Sequence, residues 1–480
     1  MDIKVSGHEF FYDITSMSML FFPGEKTNYV KRSTNPIHII SKLNEKNGKI
    51  ISITKIKFYG KWFSSRKTAE PDCDRKNIVK QTFFNACFKA TGIKPPWGIL
   101  TGIRPLSVYE RHRNSGDDPR QIMKTEYFLE DNKIDILESI SVCQRKIAVS
   151  DPKDVSVYIS IPFCPGKCSY CSFISISAVN AVSLLEQYLI KLCEEIKEKA
   201  RLINKYGLCV RSIYVGGGTP GILNENQLYE LMMVLRESFD INGIDEFCFE
   251  LGRPDTVSEK KLKILKKFGV DRICINTQTT NDKILFNVNR NHTSKEYFDA
   301  VTTAEQYYFK SINTDIIAGL PGETYDSFCR TVDNVVNTGI NNITVHTLAI
   351  KRASVLRDDN SNYNPENHNV IKMLDYAYNK LRISGFVPYY IYRQKNCVSN
   401  GENIGFCRPY SICKYNVYMM EDVHSVIACG SGASSKLVKD GKVSRVINVK
   451  YPMEYVRNYE KIIKNTNTIN KMLKADFTDE

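Results

Sequence analysis

The 480-residue sequence contains no apolar run of about 18 residues, so it has no transmembrane-helix pattern. It also lacks a block of about five like charges, a tandem repeat and a low-complexity segment, which excludes charged tails and solenoids. The opening stretch MDIKVSGHEFFYDITSMSMLFF mixes acids and a histidine with its apolar residues and has no basic n-region before a clean apolar core. It does not read as a signal peptide, and the expected address is the cytoplasm.

What is present points to an ordinary globular chain. With 42% hydrophobic residues, it can bury a real core, which rules out a disordered tail. At roughly 150 residues per domain, the length suggests about three domains. The charge balance, 66 basic against 53 acidic residues, leaves a net +13. Spread along the chain, that excess suits either a solvated basic surface or an anionic small-molecule partner. No basic patch interleaved with aromatics is found, so no nucleic-acid partner is expected. Cysteine is plentiful, at fifteen; an odd count without an export signal argues for reduced thiols. Cys193, Cys248, Cys274 and Cys329 sit singly in apolar stretches and read as small core residues.

From about residue 155, β-branched runs alternate with helical patterns: VSVYISI, then 182–203 with Leu185, Leu189, Leu192 and Ile196 on one face. RSIYV, EFCFE, DRICINT, SINTDIIAG and NITVHTLAI follow, each with its own helix. Six strand–helix units demand a parallel sheet with covering helices, and the expected fold is α/β, a partial (β/α)6 barrel. Residues 1–150 read as an α+β amino-terminal domain of unknown role, 151–385 as the barrel core, with DPKD (151–154) at the boundary, and 386–480 as a small carboxy-terminal domain.

One cysteine group differs from the rest. IPFCPGKCSYC places Cys164, Cys168 and Cys171 as C-x3-C-x2-C directly after the first barrel strand. Three thiolates so close converge by wrapping a loop around one centre. A structural zinc site would want a fourth protein ligand, yet no histidine lies in the loop and Cys143 is isolated on a preceding helix. An iron–sulfur cluster is the alternative, and three thiolates would leave one iron of four free for a small ligand. A second motif, VGGGTPG (215–221), puts three glycines at the end of strand two, where backbone groups can approach a ligand unobstructed. Alone it could be a tight turn; about 50 residues after the triplet it gains weight.

Triplet and glycine loop together resemble the radical S-adenosylmethionine superfamily. Further segments, ELGRPDT, DRICINTQTTND, NRNHT, NTDIIAGLPGET, VHTLAIKRAS, PYYIYRQKN, GSGASSK and WGILTGIRP, resemble the oxygen-independent coproporphyrinogen III dehydrogenases and especially their HemZ-like group. The resemblance covers about residues 95–440. It implies a [4Fe-4S] cluster on Cys164, Cys168 and Cys171, whose free iron chelates S-adenosylmethionine. It also implies that Tyr158 and Tyr170 line the cofactors, that Gly217, Gly218 and Thr219 bind the methionine end, and that Glu250, Gln278, Arg290 and Asp315 contact bound S-adenosylmethionine. Asp315 suits ribose hydroxyls, and Ala349 supplies a backbone contact. The implied reaction is oxidative decarboxylation of coproporphyrinogen III, or action on another anionic tetrapyrrole, fed by a low-potential donor of flavodoxin or ferredoxin type. Arg104, Lys351, Arg352 or Arg393 could clamp the substrate carboxylates.

Two positions depart from the dehydrogenases proper, which carry a cysteine where this chain has Phe173 and a histidine where it has Ser160. Phe173 is shared with the haem-chaperone branch. A haem-binding chaperone that keeps its cluster, and another radical enzyme acting on a tetrapyrrole, are therefore the competing expectations.

Overall fold

A computed structural model describes residues 1–173, 175–178, 181–350, 356, 369–394 and 397–477. Lys351 and Arg352, two of the expected substrate clamps, lie outside the described residues. The chain divides into two compact units, one comprising Met1–Ser141 and the other beginning at Val142.

The first unit is built on a five-stranded sheet in the order Asn28–Tyr29, Asp2–Ser6, Ile37–Lys46, Lys49–Phe58, Lys61–Ala69. Two tight hairpins join the last three strands. Their turns, Asn47-Gly48 and Tyr59-Gly60, hold both central residues at positive φ, the twist that two-residue hairpins favour. One face alternates inward with Ile37, Ile39, Ser41 and Leu43 and is covered by the helix Arg75–Thr91. There the Thr82 hydroxyl meets Ser52 Oγ at 2.8 Å and Thr54 Oγ1 at 3.0 Å. Asp74 caps that helix through the Asn77 N–H, and Gly92 closes it at φ +72°.

The second unit carries six parallel strands, β1 (Asp154–Ile161), β2 (Cys209–Gly217), β3 (Glu246–Gly252), β4 (Arg272–Ile275), β5 (Ser311–Ala318) and β6 (Asn342–Thr347). Each lies beside its successor in the chain. The connecting helices are α1 (Val182–Lys205), α2 (Glu225–Ser238), α3 (Glu259–Lys267), α4 (Ser294–Glu305), α5 (Tyr325–Val336) and α6 (Asn369–Ile383). On α1 the expected stripe Leu185, Leu189, Leu192 and Ile196 is buried. Side-chain caps start four of these helices: Asn224, Ser258, Thr293 and Thr324 each accept a backbone N–H of the first turn. Because each helix runs back along the sheet, those N-termini gather at the carboxyl ends of the strands. Cys248 and Cys274 are buried as expected, whereas Cys193 and Cys329 are only half-buried.

The structure corrects two expectations. The first compact unit ends before DPKD, since the end of the helix Asp131–Gln144 already belongs to the second core. Cys143 and Ile147 pack there against Tyr389, Cys407 and Cys413, and the Gln144 side chain donates to the Tyr389 carbonyl at 2.8 Å. Nor do residues 386–480 form a separate carboxy-terminal domain. They supply β7 (Val387–Arg393), β8 (Glu402–Cys407), β9 (Ser425–Cys429), β10 (Ser434–Lys439) and β11 (Lys442–Ile447) to the same sheet. Its order is β7-β8-β6-β5-β4-β3-β2-β1-β9-β10-β11, so the carboxy-terminal strands extend both edges.

Buried charge fastens these additions. Glu195 on α1 takes the Lys199 ammonium at 2.6 Å, the Gly430 N–H at 2.7 Å, the Tyr455 hydroxyl at 2.6 Å and the Asn448 amide at 2.8 Å. Arg272 pairs with Glu246 at 2.9 Å and donates to the carbonyls of Ser411 and Ile412. Each charge is fully partnered, the condition under which a buried ion pair is tolerated.

Candidate active site

β1 ends at Ile161 and runs straight into the cysteine loop. Phe163 and Cys164 pair in parallel with Ile176 and Ser177, so the chain returns beside itself and closes the loop. The Ser169 N–H donates to the Val288 carbonyl at 3.0 Å, and the Asn289 amide donates to the Lys167 carbonyl at 2.7 Å. These bonds anchor the loop to the segment after β4. Cys168 is buried, and Cys164 and Cys171 are half-buried. Burial pushes the Cys171 thiol up, and the nearby Cys168 and Cys164 add to it. Among the described residues no three ligating side chains close on one point as a single metal ion requires. A multi-iron cluster takes one thiolate per iron and makes no such demand.

Two donors reach sulfurs of the triplet. The Thr219 hydroxyl lies 3.4 Å from Cys164 Sγ, and Arg290 Nη1 lies 3.9 Å from Cys168 Sγ. The same Nη1 donates to the Tyr170 hydroxyl at 3.1 Å, while Nη2 donates to the carbonyls of Gly252, at 3.3 Å, and Asn276. Arg290 is buried, and among the described residues no carboxylate pairs with it. Its charge therefore faces Cys168 Sγ and the Tyr170 hydroxyl.

The glycines meet a steric need. A Cβ on Gly218 would stand 2.6 Å from the Phe163 carbonyl oxygen and 2.9 Å from Cys164 Sγ. Gly217 adopts φ +117°, and a Cβ there would lie 2.9 Å from the Ile161 nitrogen.

Glu250, at the end of β3, accepts the Tyr214 hydroxyl. Burial pushes its carboxyl up to about 7; Asp315 adds to the rise, and the bonds from Tyr214 and the Gly217 N–H oppose it. Tyr214 stacks on Tyr415 with ring centres 4.5 Å apart, and Tyr158 stacks on both at 6.2 and 6.3 Å. Gln278 sits at φ +72°, held by a bond from its own N–H to the Asp315 carbonyl and one to its carbonyl from the Ile317 N–H, both 2.9 Å. Its buried Oε1 has no protein partner among the described residues, nor have Asn276 Oδ1 and Arg290 Nε. Asp315 faces His346 at 3.7 Å, and His346 Nδ1 meets the Tyr392 hydroxyl at 3.2 Å. Ala349 bridges to Cys397 just beyond β6.

The structure thus brings Cys164, Cys168, Cys171, Tyr170, Gly217, Gly218, Thr219 and Arg290 into one contact network. Through Glu250, Tyr158, Gln278 and Asp315 that network continues along the carboxyl ends of the strands. The donors at the sulfurs and the orphaned polar atoms beside them fit a thiolate-bound cluster with a polar organic ligand. Arg393 departs from its expected role, because it is buried and donates to the Asn400 carbonyl at 3.1 Å. Arg104 belongs to the first unit and precedes the helix Pro105–Asn114.

Ser160 has a structural task. Its hydroxyl donates to the Ser431 carbonyl at 3.0 Å, and a Cβ on Gly430 would lie 2.6 Å from its carbonyl oxygen. Phe173 is 67% exposed, so the position that holds cysteine in the dehydrogenases is not part of the packed loop. Tyr214, His346, Tyr392 and Tyr415 were not singled out from sequence. Strand alternation could have found two of them, since Tyr214 stands two residues before Gly216 and His346 four after Asn342 on inward-facing strands.

Comparison with known proteins agrees with this geometry. Residues 158–335 match the Radical SAM superfamily. The chain is 35% identical over 396 residues to the oxygen-independent coproporphyrinogen-III oxidase-like protein HemZ of Bacillus subtilis, covering 80% of this chain and 79% of the relative. It is 30% identical over 203 residues to the heme chaperone HemW of Lactococcus lactis, covering 42% and 51% of the two chains. The solved structure of coproporphyrinogen III oxidase (HemN) from Escherichia coli superposes with a TM-score of 0.52 at 25% identity, over 66% of this chain and 71% of that one. The chain belongs to the radical SAM superfamily, in the family of HemZ, the relatives of the oxygen-independent coproporphyrinogen III oxidases.

Proposed function

We propose that the protein is a cytoplasmic radical S-adenosylmethionine enzyme of porphyrin biosynthesis that oxidatively decarboxylates propionate side chains of coproporphyrinogen III to vinyl groups, giving protoporphyrinogen IX. The six sequential parallel strands would form a partial (β/α)6 barrel with the reaction at its carboxyl end. Cys164, Cys168 and Cys171 would hold a [4Fe-4S] cluster, which would supply an electron from a flavodoxin- or ferredoxin-type donor for reductive cleavage of S-adenosylmethionine. The resulting 5′-deoxyadenosyl radical would take a propionate hydrogen as 5′-deoxyadenosine, and the substrate radical would lose carbon dioxide and pass one electron to a one-electron acceptor. Thr219 and Arg290 donate toward the sulfurs of Cys164 and Cys168. Gly217 and Gly218 let the strand end pack against the cysteine loop and would offer their backbone to the ligand's methionine end, and Glu250 and Asp315 would supply paired acceptors for its amino and ribose groups. Gln278, with its unpartnered Oε1, and the Ala349 backbone complete the cradle, while Tyr158 and Tyr170 wall it from water.

The observation that carries this reading is the buried Arg290, whose guanidinium meets Cys168 Sγ and, among the described residues, no carboxylate. A haem chaperone is the second reading, favoured by the exposed Phe173. The match over four-fifths of the chain to HemZ, described as oxidase-like, supports the enzyme reading. Calorimetric binding of S-adenosylmethionine tests the cradle. Losing a hydrogen bond to a charged group costs about 1.5–3 kcal/mol, so Glu250→Ala or Asp315→Ala should weaken binding roughly ten- to hundred-fold. Iron content should stay unchanged. Unaltered binding in both variants would contradict the assignment.

A further inference from the structure

The three antiparallel strands of the first unit, residues 37–69, carry eight lysines and arginines and one acid, Glu45. In linear order these cations are separated by isoleucines and serines and form no patch. The register changes that. Lys42 pairs with Ile53 and Ile53 with Arg66, Ile40 pairs with Lys55, and Lys57 pairs with both His38 and Trp62. Directly opposed residues share a face, and Lys4 joins it opposite Ile40. The helix-covered face takes the alternate residues, so Lys4, Lys42, Lys55, Lys57 and Arg66 all lie on the open side.

None of the five pairs with a carboxylate among the described residues. The one acid on this face, Asp2, is occupied by the Ser33 hydroxyl at 2.6 Å. Trp62 is 53% exposed, with its ring edge-on to His38 at 6.2 Å.

We propose that this open sheet face binds single-stranded nucleic acid, without sequence preference. Cations two residues apart on a strand stand about 6.7 Å from one another, and neighbouring strands lie about 4.8 Å apart, so the charges form a grid longer than a small ligand. A grid of unpaired cations fits a flexible polyanion by counterion release. An open sheet face with an exposed indole suits splayed, stacked bases. Apart from Trp62, the face's apolar residues, Ile40, Ile51 and Ile53, are half-buried between the cations, and one indole is little to insert into a bilayer.

Fluorescence anisotropy of the full chain with a labelled oligouridylate tests the proposal. With about five phosphates contacted on a single strand, affinity should fall about a hundredfold between 50 and 200 mM salt. The triple variant Lys42→Glu, Lys55→Glu, Arg66→Glu should bind at least tenfold more weakly at low salt and lose most of that dependence. Trp62→Ala should weaken binding about tenfold and leave the salt slope unchanged. If the triple variant fails to fold by circular dichroism, single alanines at Lys55 and Arg66 should each lower the slope. No binding by the wild type at 50 mM salt, equal binding by the charge variants, or binding only to phosphatidylserine vesicles would each overturn the proposal.

Discussion

Arg290 Nη1 stands 3.9 Å from Cys168 Sγ while the same nitrogen donates to Tyr170 at 3.1 Å. One buried guanidinium thus ties the cysteine loop to the ends of β3 and β4. Arg290→Met should leave the Tyr170 hydroxyl and the Asn276 carbonyl short of a donor, while the Gly252 carbonyl keeps the Asn276 N–H. Each unsatisfied buried group costs about 1–3 kcal/mol, so Tm should drop by several degrees. Iron bound per folded chain should drop as well, because Cys168 loses the guanidinium 3.9 Å from its sulfur. Arg290→Lys should recover part of the iron. Full iron in the Met variant would show that the charge does not serve the thiols.

Two glycines of the same region separate packing from flexibility. Gly218→Ala forces a Cβ onto the Phe163 backbone and the Cys164 sulfur, whereas a Cβ on Gly166 meets nothing within 4 Å. Overpacking against backbone costs roughly 1–3 kcal/mol. Iron content should therefore be clearly reduced in Gly218→Ala and unchanged in Gly166→Ala. Equal iron in both variants would contradict the close approach.

Glu250 gives a pH signature. Its folded value, about 7, lies above the ordinary 4.5, so ionising it opposes folding. That penalty is absent below pH 4.5, grows as pH rises toward 7 and is constant above. Glu250→Gln keeps an acceptor for Tyr214 and removes the penalty. Thermal melts should therefore show the variant gaining on the wild type between pH 5 and 8, with no gain below 4.5. A pH-independent difference would show that Glu250 is not held protonated by its surroundings.

Much of this was legible from local pattern. The triplet, the glycine loop and the alternation from β1 to β6 are short-range signals, and the buried stripe on α1 matches its 3.6-residue period. What pairs at long range was not. Whether Ser425–Cys429 would lie beside β1 depends on contacts far apart in the chain, such as Glu195 with Gly430 and Tyr455, which no local window shows. Arg393 reads as a free cation in PYYIYRQKN, yet its strand packs inside the sheet and buries it. Tyr214 and Tyr415 come together only when β2 and the segment after Cys413 meet. The grid on the first unit likewise arises from register, since Lys42, Lys55 and Arg66 belong to three strands.

The most direct test of the central claim is the ratio of products in one anaerobic reaction. Reconstituted, reduced protein is incubated with S-adenosylmethionine and coproporphyrinogen III, and 5′-deoxyadenosine, carbon dioxide and porphyrin masses are measured together. The account predicts loss of carbon dioxide from the porphyrinogen in step with 5′-deoxyadenosine, abolished by Cys168→Ala. One-to-one haem binding with slow, uncoupled 5′-deoxyadenosine formation and no carbon dioxide would contradict it.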